Sequence, residues 1–337
     1  MSIDRSRFLF IALGLLLVLL LLCDLAFGSV TIPFRALLAV ISGEGDTAFR
    51  EIVLNYRLPK AITAVLAGAA LSVSGLLMQT LFRNPLAGPD VLGINAGAGL
   101  GVALVTMLAS GVGGLLLGVG SWGLVAAAII GAAAVLFLVL LTSVRVPDLV
   151  SLLIVGMMFG YIGGALTSVF QNFSNPDTLK VFIVWTFGSL SAVSWSMMPL
   201  LVVVIVVGLI VSFSLIKTLN VLLIGEHYAK GLGVSVMRVR FLLILATALL
   251  AGGVTAFAGP VTFIGVTVPH IARGLFKSWD HRIVLPASIL CGSCLLLLCD
   301  IVTQLPGLGG NTLPINSVTA LFGAPLIIWI ILKRRGQ

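Results

Sequence analysis

The sequence VLGINAGAGLGVALVTMLASGVGGLLLGVGSWGLVAAAIIGAAAVLFLVLLTSV occupies residues 91–144 and contains no charged side chain. This stretch is more than twice as long as the roughly 20 apolar residues that a helix needs to cross the hydrocarbon layer. Lipid offers no partner to backbone polar groups, so the stretch must form helices. Similar stretches recur in the chain, which is 60% hydrophobic and 9% charged. We therefore predict an all-α, polytopic integral membrane protein with a single transmembrane domain over residues 1–337.

The basic residues predict the orientation, because short loops rich in Lys and Arg stay in the cytoplasm. Fourteen of the 19 basic residues are assigned to the inside: Arg5, Arg7, Arg83, Arg145, Lys217, Lys230, Arg238, Arg240, Arg273, Lys277, Arg282, Lys333, Arg334 and Arg335. The other five are assigned to the outside: Arg35, Arg50, Arg57, Lys60 and Lys180. Both termini are then cytoplasmic and the number of spans is even. The net charge of +8 follows from this bias, so we predict no nucleic-acid partner.

The apolar runs predict ten membrane spans. A single helix between Arg240 and Arg273 would be about 50 Å long, too long for the bilayer, so we divide it at Gly259-Pro260. The first run is predicted to be an uncleaved helix, since no clear small-x-small cleavage site follows it. The predicted spans are 8–27, 61–81, 91–109, 122–142, 149–170, 196–216, 237–257, 259–276, 283–304 and 315–332.

The sequence shows no catalytic constellation, and we predict neither a metal site nor a cofactor. No lysine follows a glycine, so the Gly-Lys-Ser/Thr loop that binds nucleotide phosphates is absent and the chain should not hydrolyse ATP. Cys291 and Cys294 form a CxxC pair inside an apolar span, where packing is the expected role. Asp24 and Asp300 lie near the outer ends of their spans and are expected to be solvated carboxylates.

Three segments carry a more specific signal: Arg57-Leu58-Pro59-Lys60, RNPLAGPDVLG at 83–93, and GPVTFIGVTVPHIAR at 259–273. With residues 313–325, they resemble signatures of the iron-siderophore, haem and cobalamin permeases, the FecCD-type membrane subunits of type II ABC importers. The resemblance covers essentially the whole chain. It implies a permease of the bacterial inner membrane that moves a metal chelate by alternating access, driven by ATP hydrolysis on a separate subunit.

The resemblance also implies partners and a substrate class. The expected partners are two cytoplasmic ABC ATPase subunits, an external solute-binding protein, a second permease copy and the lipid bilayer. Ferric siderophore or haem is the first expectation for the substrate, with cobalamin as the alternative. The other alternative is a secondary transporter that works without an ATPase. Residues 67–75 are similar in sequence to residues 251–259, as expected for an inverted repeat in a transporter. Helices rich in small residues also resemble each other by chance.

In the resembling family, the fifth span lines the translocation path and the loop before it closes the inner gate. Gly156, Gly160 and Gly164 are spaced four apart and predict a smooth face on which another helix or a moving partner can pack closely. About half of the candidate path residues should pack inside the bundle instead, because only one helical face can line a path. The resemblance implies these gate and path residues: Asp148, Leu149, Val150, Met157, Gly160, Tyr161, Gly164 and Ser168.

Two further sites come from the resemblance. The segment that matches the coupling helices, which contact the ATPase, contains Gly225, Glu226, His227, Ala229, Gly231, Leu232 and Gly233. Arg57 and Lys60 match positions that receive acidic residues of the binding protein, although Lys60 lacks the fork of the arginine usual there. Gln304 stands where the family often has another arginine, four residues after Asp300.

Overall fold

The computed structural model describes residues 3–28, 32–44, 46–108, 120–146, 148–304 and 312–334, and no strand occurs in these ranges. The predicted all-α class is confirmed. The first helices are α1 (Ile3–Ala26), α2 (Phe34–Ser42), α3 (Thr47–Glu51), α4 (Leu58–Leu81), α5 (Ile94–Ala103), α6 (Ser121–Arg145), α7 (Leu149–Asn172) and α8 (Pro176–Thr186). The remaining helices are α9 (Met198–Ser214), α10 (Ile216–Leu222), α11 (Glu226–Gly231), α12 (Val236–Thr247), α13 (Gly253–Ala258), α14 (Ile264–Phe276), α15 (His281–Thr303) and α16 (Ile315–Arg334).

Several of these helices are long and apolar enough to cross a membrane. Within the described residues, six qualify on their own, and α9 with α10 makes a seventh if this pair, bent by 56°, counts as one span. The shorter apolar helices Ile94–Met107 and Ile315–Trp329 coincide with two more predicted spans. The count of ten spans and the cytoplasmic position of both termini stay predictions. Residue 109, at the end of the third predicted span, and Arg335 lie outside the described residues.

Two predicted boundaries are wrong. The sequence predicts an eighth span from residue 259, but α14 starts only at Ile264 and has 13 residues, about 20 Å of helix. The second predicted span starts at residue 61, yet α4 starts at Leu58 and is preceded by α2 and α3. The chain is helical without interruption over Thr47–Leu81, and these 35 residues span about 52 Å.

The break between α13 and α14 is confirmed where the sequence predicts it. Helix α13 ends at Ala258, and Gly259 takes a positive φ of 76°, which a residue without a Cβ adopts readily. The turn after α4 also agrees with its sequence, since a short 3₁₀ turn at Pro89–Leu92 and Gly93, at φ 74°, lead into α5.

Helix α4 is buried along nearly its whole length and packs against α9, α12, α14 and α15. Glycines permit these contacts. Gly68 faces Gly292 on α15, and Gly75 faces the Gly265 carbonyl on α14, so closely that a Cβ on either α4 glycine would overlap the opposing backbone. In lipid, such close approach of backbones is a main source of helix association. Helix α4 is therefore the centre of the group that it forms with α9, α12, α14 and α15.

Candidate functional site

A buried charge cluster joins α1, α4 and α15. The Lys60 ammonium lies 2.7 Å from Asp300 Oδ2 and 3.6 Å from Asp24 Oδ1. Gln304 Nε2 donates to the same two carboxylates, at 3.1 Å to Asp24 and 3.0 Å to Asp300. Lys60 is 7% exposed, Asp300 4% and Asp24 0%. The expectation that Asp24 and Asp300 are solvated is therefore wrong: an internal lysine and an internal amide replace water as their partners.

Arg57 is also buried and donates hydrogen bonds to the carbonyl groups at the end of α1. Its Nη1 donates to the carbonyl oxygens of Leu25 at 2.8 Å and Ala26 at 2.9 Å. The last carbonyls of a helix lack partners within that helix, and a basic side chain is a favourable donor to them. Both basic side chains are thus engaged inside the protein, and their role in receiving the binding protein stays a prediction.

Both basic residues nevertheless border an open cavity of about 690 Å³. Its walls come from the start of α4, the end of α15, the connection after α8 and the residues before α16. Arg57, Lys60, Asp300 and Gln304 all contribute to the lining. The Trp195 indole, next to the lining residue Ser194, donates to the Leu54 carbonyl at 2.8 Å. A partner can therefore approach these groups through the cavity without unfolding α4.

We expect Lys60→Met to lower the free energy of unfolding by about 3 to 5 kcal/mol, because it strands two buried carboxylates without their ammonium. Arg50→Met, in the same helical run but exposed, is the matched control. Thermal unfolding in detergent measures the difference. Replacing Asp24 and Asp300 by Asn alongside Lys60→Met should restore most of the loss. Equal melting temperatures for Lys60→Met and Arg50→Met would contradict the internal pairing.

Helix α7 packs through a glycine stripe that differs by one residue from the predicted stripe. Gly156 approaches the Val91 carbonyl, Gly160 approaches Gly93, and Gly163 approaches Ala96. A Cβ at Gly164 would have no neighbouring atom of this chain within 4 Å, so Gly164 takes no part in the packing within this chain. Its packing against a partner stays a prediction. The stripe packs on α5 and the turn before it, within the same chain.

The rest of α7 is largely uncovered. Tyr161 is 70% exposed, and Gly164 and Ser168 are also exposed. Met157 and Gly160 are half-buried. Tyr161, Gly164 and Ser168 lie three to four residues apart and share one face. The structure thus brings most of the predicted path residues to one open face of α7, while Gly160 also contributes to its packing.

The predicted gate residues form the beginning of α7. Asp148 is the N-cap, and its Oδ2 accepts from the Ser151 backbone N–H at 2.7 Å. That hydrogen bond holds the pKa of the Asp148 carboxyl below its ordinary value. Leu149 is half-buried and Val150 is exposed. The cap fixes the direction in which α7 leaves the preceding connection.

The predicted coupling segment, residues 225–233, contains the short helix α11. Gly225, at φ 130°, separates α11 from α10, and Gly233 follows α11 at φ 81°. Ala229 packs inward with no exposure, and Glu226 is half-buried. His227, Gly231, Leu232 and Gly233 are exposed. Tyr228 and Leu232, each 60% exposed, present an apolar face to the surroundings.

Polar contacts tie α10 to the transmembrane helices. Asn220 donates to Asp280 at 2.6 Å and accepts from the His281 backbone N–H at 2.9 Å. The His281 ring lies 2.9 Å from the Thr80 hydroxyl on α4. The N–H of Arg282 and the Asn220 amide hold the pKa of Asp280 below its ordinary value. A displacement of α10 therefore acts directly on α4 and α15.

Sequence reasoning missed the pairing of Lys60 with Asp24 and Asp300 and the role of Asn220. The first had a detectable signal: two acids and one base lie at the predicted outer ends of three spans, where mutual neutralisation avoids unpaired charge in lipid. The second had none, since a single Asn in a polar segment does not indicate its partner. Within the described residues, no cluster of three His, Cys, Asp or Glu could hold a metal ion.

The chain is similar to known transport proteins along its whole length. Residues 15–333 match the model of the FecCD transport family. The vitamin B12 import system permease protein BtuC of Klebsiella pneumoniae is 37% identical over 99% of this chain and 96% of its own. The hemin transport system permease protein HmuU of Yersinia pestis is 35% identical over 96% of both chains.

Comparison with solved structures gives the same result. A chain from a structure described as an inward-facing conformation of a presumed metal-chelate type ABC transporter superposes with a TM-score of 0.85 and is 29% identical. The superposition covers 97% of this chain and 99% of the other. This protein is therefore a transmembrane permease of the ABC importer class and belongs to the FecCD transport family.

Proposed function

We propose that this permease, as a pair of copies, imports a metal chelate across the bacterial inner membrane, with energy from a separate ATPase subunit. Full-length similarity to two permeases named for vitamin B12 and hemin carries the proposal. An external solute-binding protein delivers the chelate, and two ATPase subunits act from the cytoplasm. Iron chelates, either haem or a ferric siderophore, remain the first expectation, with cobalamin as the alternative.

Uptake into proteoliposomes tests the substrate class. The permease is reconstituted with its ATPase and binding protein and offered labelled haem, ferric siderophore or cobalamin. We expect one of the three to accumulate against its gradient while the other two stay at background. Accumulation of none of them would reject the metal-chelate assignment, and accumulation of cobalamin alone would replace the iron expectation.

The open face of α7 is our proposed lining of the path and lies against the second copy. The side chains on this face are more exposed than those of a helix at the centre of a bundle. The opposite face of α7 packs on α5 through the glycine stripe. A face that combines Tyr161 and Ser168 with small Gly164 offers polar groups and space to a large solute. The second copy would supply the opposite wall.

We predict a helical pattern of thiol labelling along α7 in a background without the four native cysteines. Cysteines at Met157, Tyr161 and Ser168 should react with a water-soluble reagent, and the reaction rates should change when ATP is added. Cysteines at Leu152 and Thr167 are buried and should not react. Val203 lies on an exposed, apolar face of α9. This face should contact lipid, so a cysteine at Val203 should not react with the water-soluble reagent. Labelling without helical period would contradict a path along α7.

The docking sites follow from the same proposal. The ATPase would contact the apolar face at Tyr228 and Leu232, because an exposed apolar patch next to a polar segment is a typical protein interface. The binding protein would dock over the 690 Å³ cavity and reach Arg57 and Lys60 through it. Asp24 and Asp300 already neutralise the charge of Lys60. We therefore expect the affinity of this docking to depend less on salt concentration than the affinity of docking through exposed basic residues.

A further inference from the structure

We propose that Arg240 is a positioning residue that carries the displacement of α11 to the beginning of α7. The inference rests on the proposed contact of the ATPase with α11. It adds the route by which that contact reaches the candidate path.

Arg240 occupies a point where three segments meet. It lies on α12 and is 3% exposed. Its Nη2 is 3.3 Å from Glu226 Oε1, on the first residue of α11. Its Nη1 donates to the Val146 carbonyl at 3.1 Å, just after α6 ends and two residues before the N-cap of α7. One side chain thus joins α11, α12 and the connection from α6 to α7.

Arginine suits this junction better than lysine. The guanidinium is a rigid, planar fork, so a shift of one bound acceptor changes the geometry at the other. Lysine presents a single ammonium on a flexible stem and would permit each contact to move independently. The charge of Arg240 also acts on Asp148, the N-cap of α7, and favours its carboxylate form. The link therefore reaches the connection before α7 through a hydrogen bond, and the charge of Arg240 adds a weaker interaction with the N-cap of α7.

Arg238 shows that the position, and not the charge alone, matters. It lies two residues earlier on α12 and is exposed, and none of the ion pairs among the described residues includes it. A variant of Arg238 therefore changes the same charge on the same helix without touching the link.

The test uses a cysteine at Val150, which is 64% exposed at the start of α7. The background lacks native cysteines, and the permease is reconstituted with its ATPase. The readouts are ATPase association and the change in labelling rate on adding ATP. In Arg240→Gln, we expect normal association but a labelling change reduced about tenfold, as the loss of charged hydrogen bonds implies. Arg238→Gln should match the unaltered chain.

A lysine variant separates transmission from simple stabilisation. Arg240→Lys retains the positive charge and an ion pair between α11 and α12, but its single ammonium replaces the rigid fork that joins Glu226 to the Val146 carbonyl. We expect Arg240→Lys to fold, to bind the ATPase and to show a strongly reduced labelling change. A labelling change of full size in folded Arg240→Lys, or in folded Arg240→Gln, would overturn the inference. Failure of the unaltered chain to bind the ATPase would instead reject the proposed function on which it rests.

Discussion

Gly75→Ala is expected to prevent assembly of the folded permease. The added Cβ would overlap the Gly265 carbonyl oxygen, a backbone atom that cannot rotate away. Overpacking usually costs about 1 to 3 kcal/mol, and a clash with rigid backbone at the centre of the bundle should cost at least the upper value. Fluorescence-detected size-exclusion chromatography after extraction measures the folded fraction, which we expect to fall to background.

Gly274→Ala provides the matched control for that substitution. Gly274 is also helical and lies on α14, where an added Cβ would have no neighbouring atom within 4 Å. Alanine has a higher helix propensity than glycine, so Gly274→Ala should fold as well as the unaltered chain or slightly better. If Gly75→Ala and Gly274→Ala gave the same folded fraction, the close contact between α4 and α14 would not exist in the protein.

Tyr228→Asp with Leu232→Asp is expected to abolish ATP-driven uptake while leaving the permease folded. Both side chains are 60% exposed, so the change removes little packing within the chain. At an interface, an apolar anchor contributes about 2 kcal/mol or more, and losing two anchors should weaken ATPase binding by a factor of at least roughly 100. Pull-down of the ATPase and its stimulated hydrolysis rate measure the effect.

Tyr228→Phe with Leu232→Met keeps the face apolar and should preserve both ATPase binding and uptake. The comparison separates loss of the interface from loss of the fold, since all four substitutions occupy the same exposed positions. Normal ATPase binding by the aspartate variant would place the contact elsewhere on the permease.

The sequence is most informative where structure depends on local composition. Charge-free runs predict α6, α7 and α15 closely, because the length of an apolar helix is determined by its own residues. The break at Gly259 follows from a length argument and a glycine-proline pair. In contrast, the start of α14 depends on how Phe263 turns the chain at φ 68°, which a run of apolar and small residues does not indicate.

The packing of α7 shows a second limit. Glycines four apart predict a stripe through Gly164, but seven residues return to the same helical face within about 20°, whereas eight residues rotate about 80° away. Within this chain, Gly163 is therefore in contact and Gly164 is not. The periodicity is sufficient to find the packing helix, yet the position of its neighbour decides which glycine the stripe includes.

The charge cluster shows a limit of another kind. Lys60 lies 36 residues from Asp24 and 240 from Asp300, and only the packing of α1 and α15 beside α4 brings the three together. The family resemblance predicts a docking role for Lys60 but does not indicate that its charge is neutralised internally. Partners that are distant in sequence become visible only in three dimensions.

The central claim is that a separate ATPase drives import through this permease, and initial uptake rates in proteoliposomes test it most directly. The complete system of permease, ATPase and loaded binding protein is compared with systems that lack the ATPase or contain ADP in place of ATP. We predict accumulation against the gradient in the complete system alone. Uptake at an undiminished rate without the ATPase, driven only by the solute gradient, would contradict ATP-driven import and identify a secondary transporter.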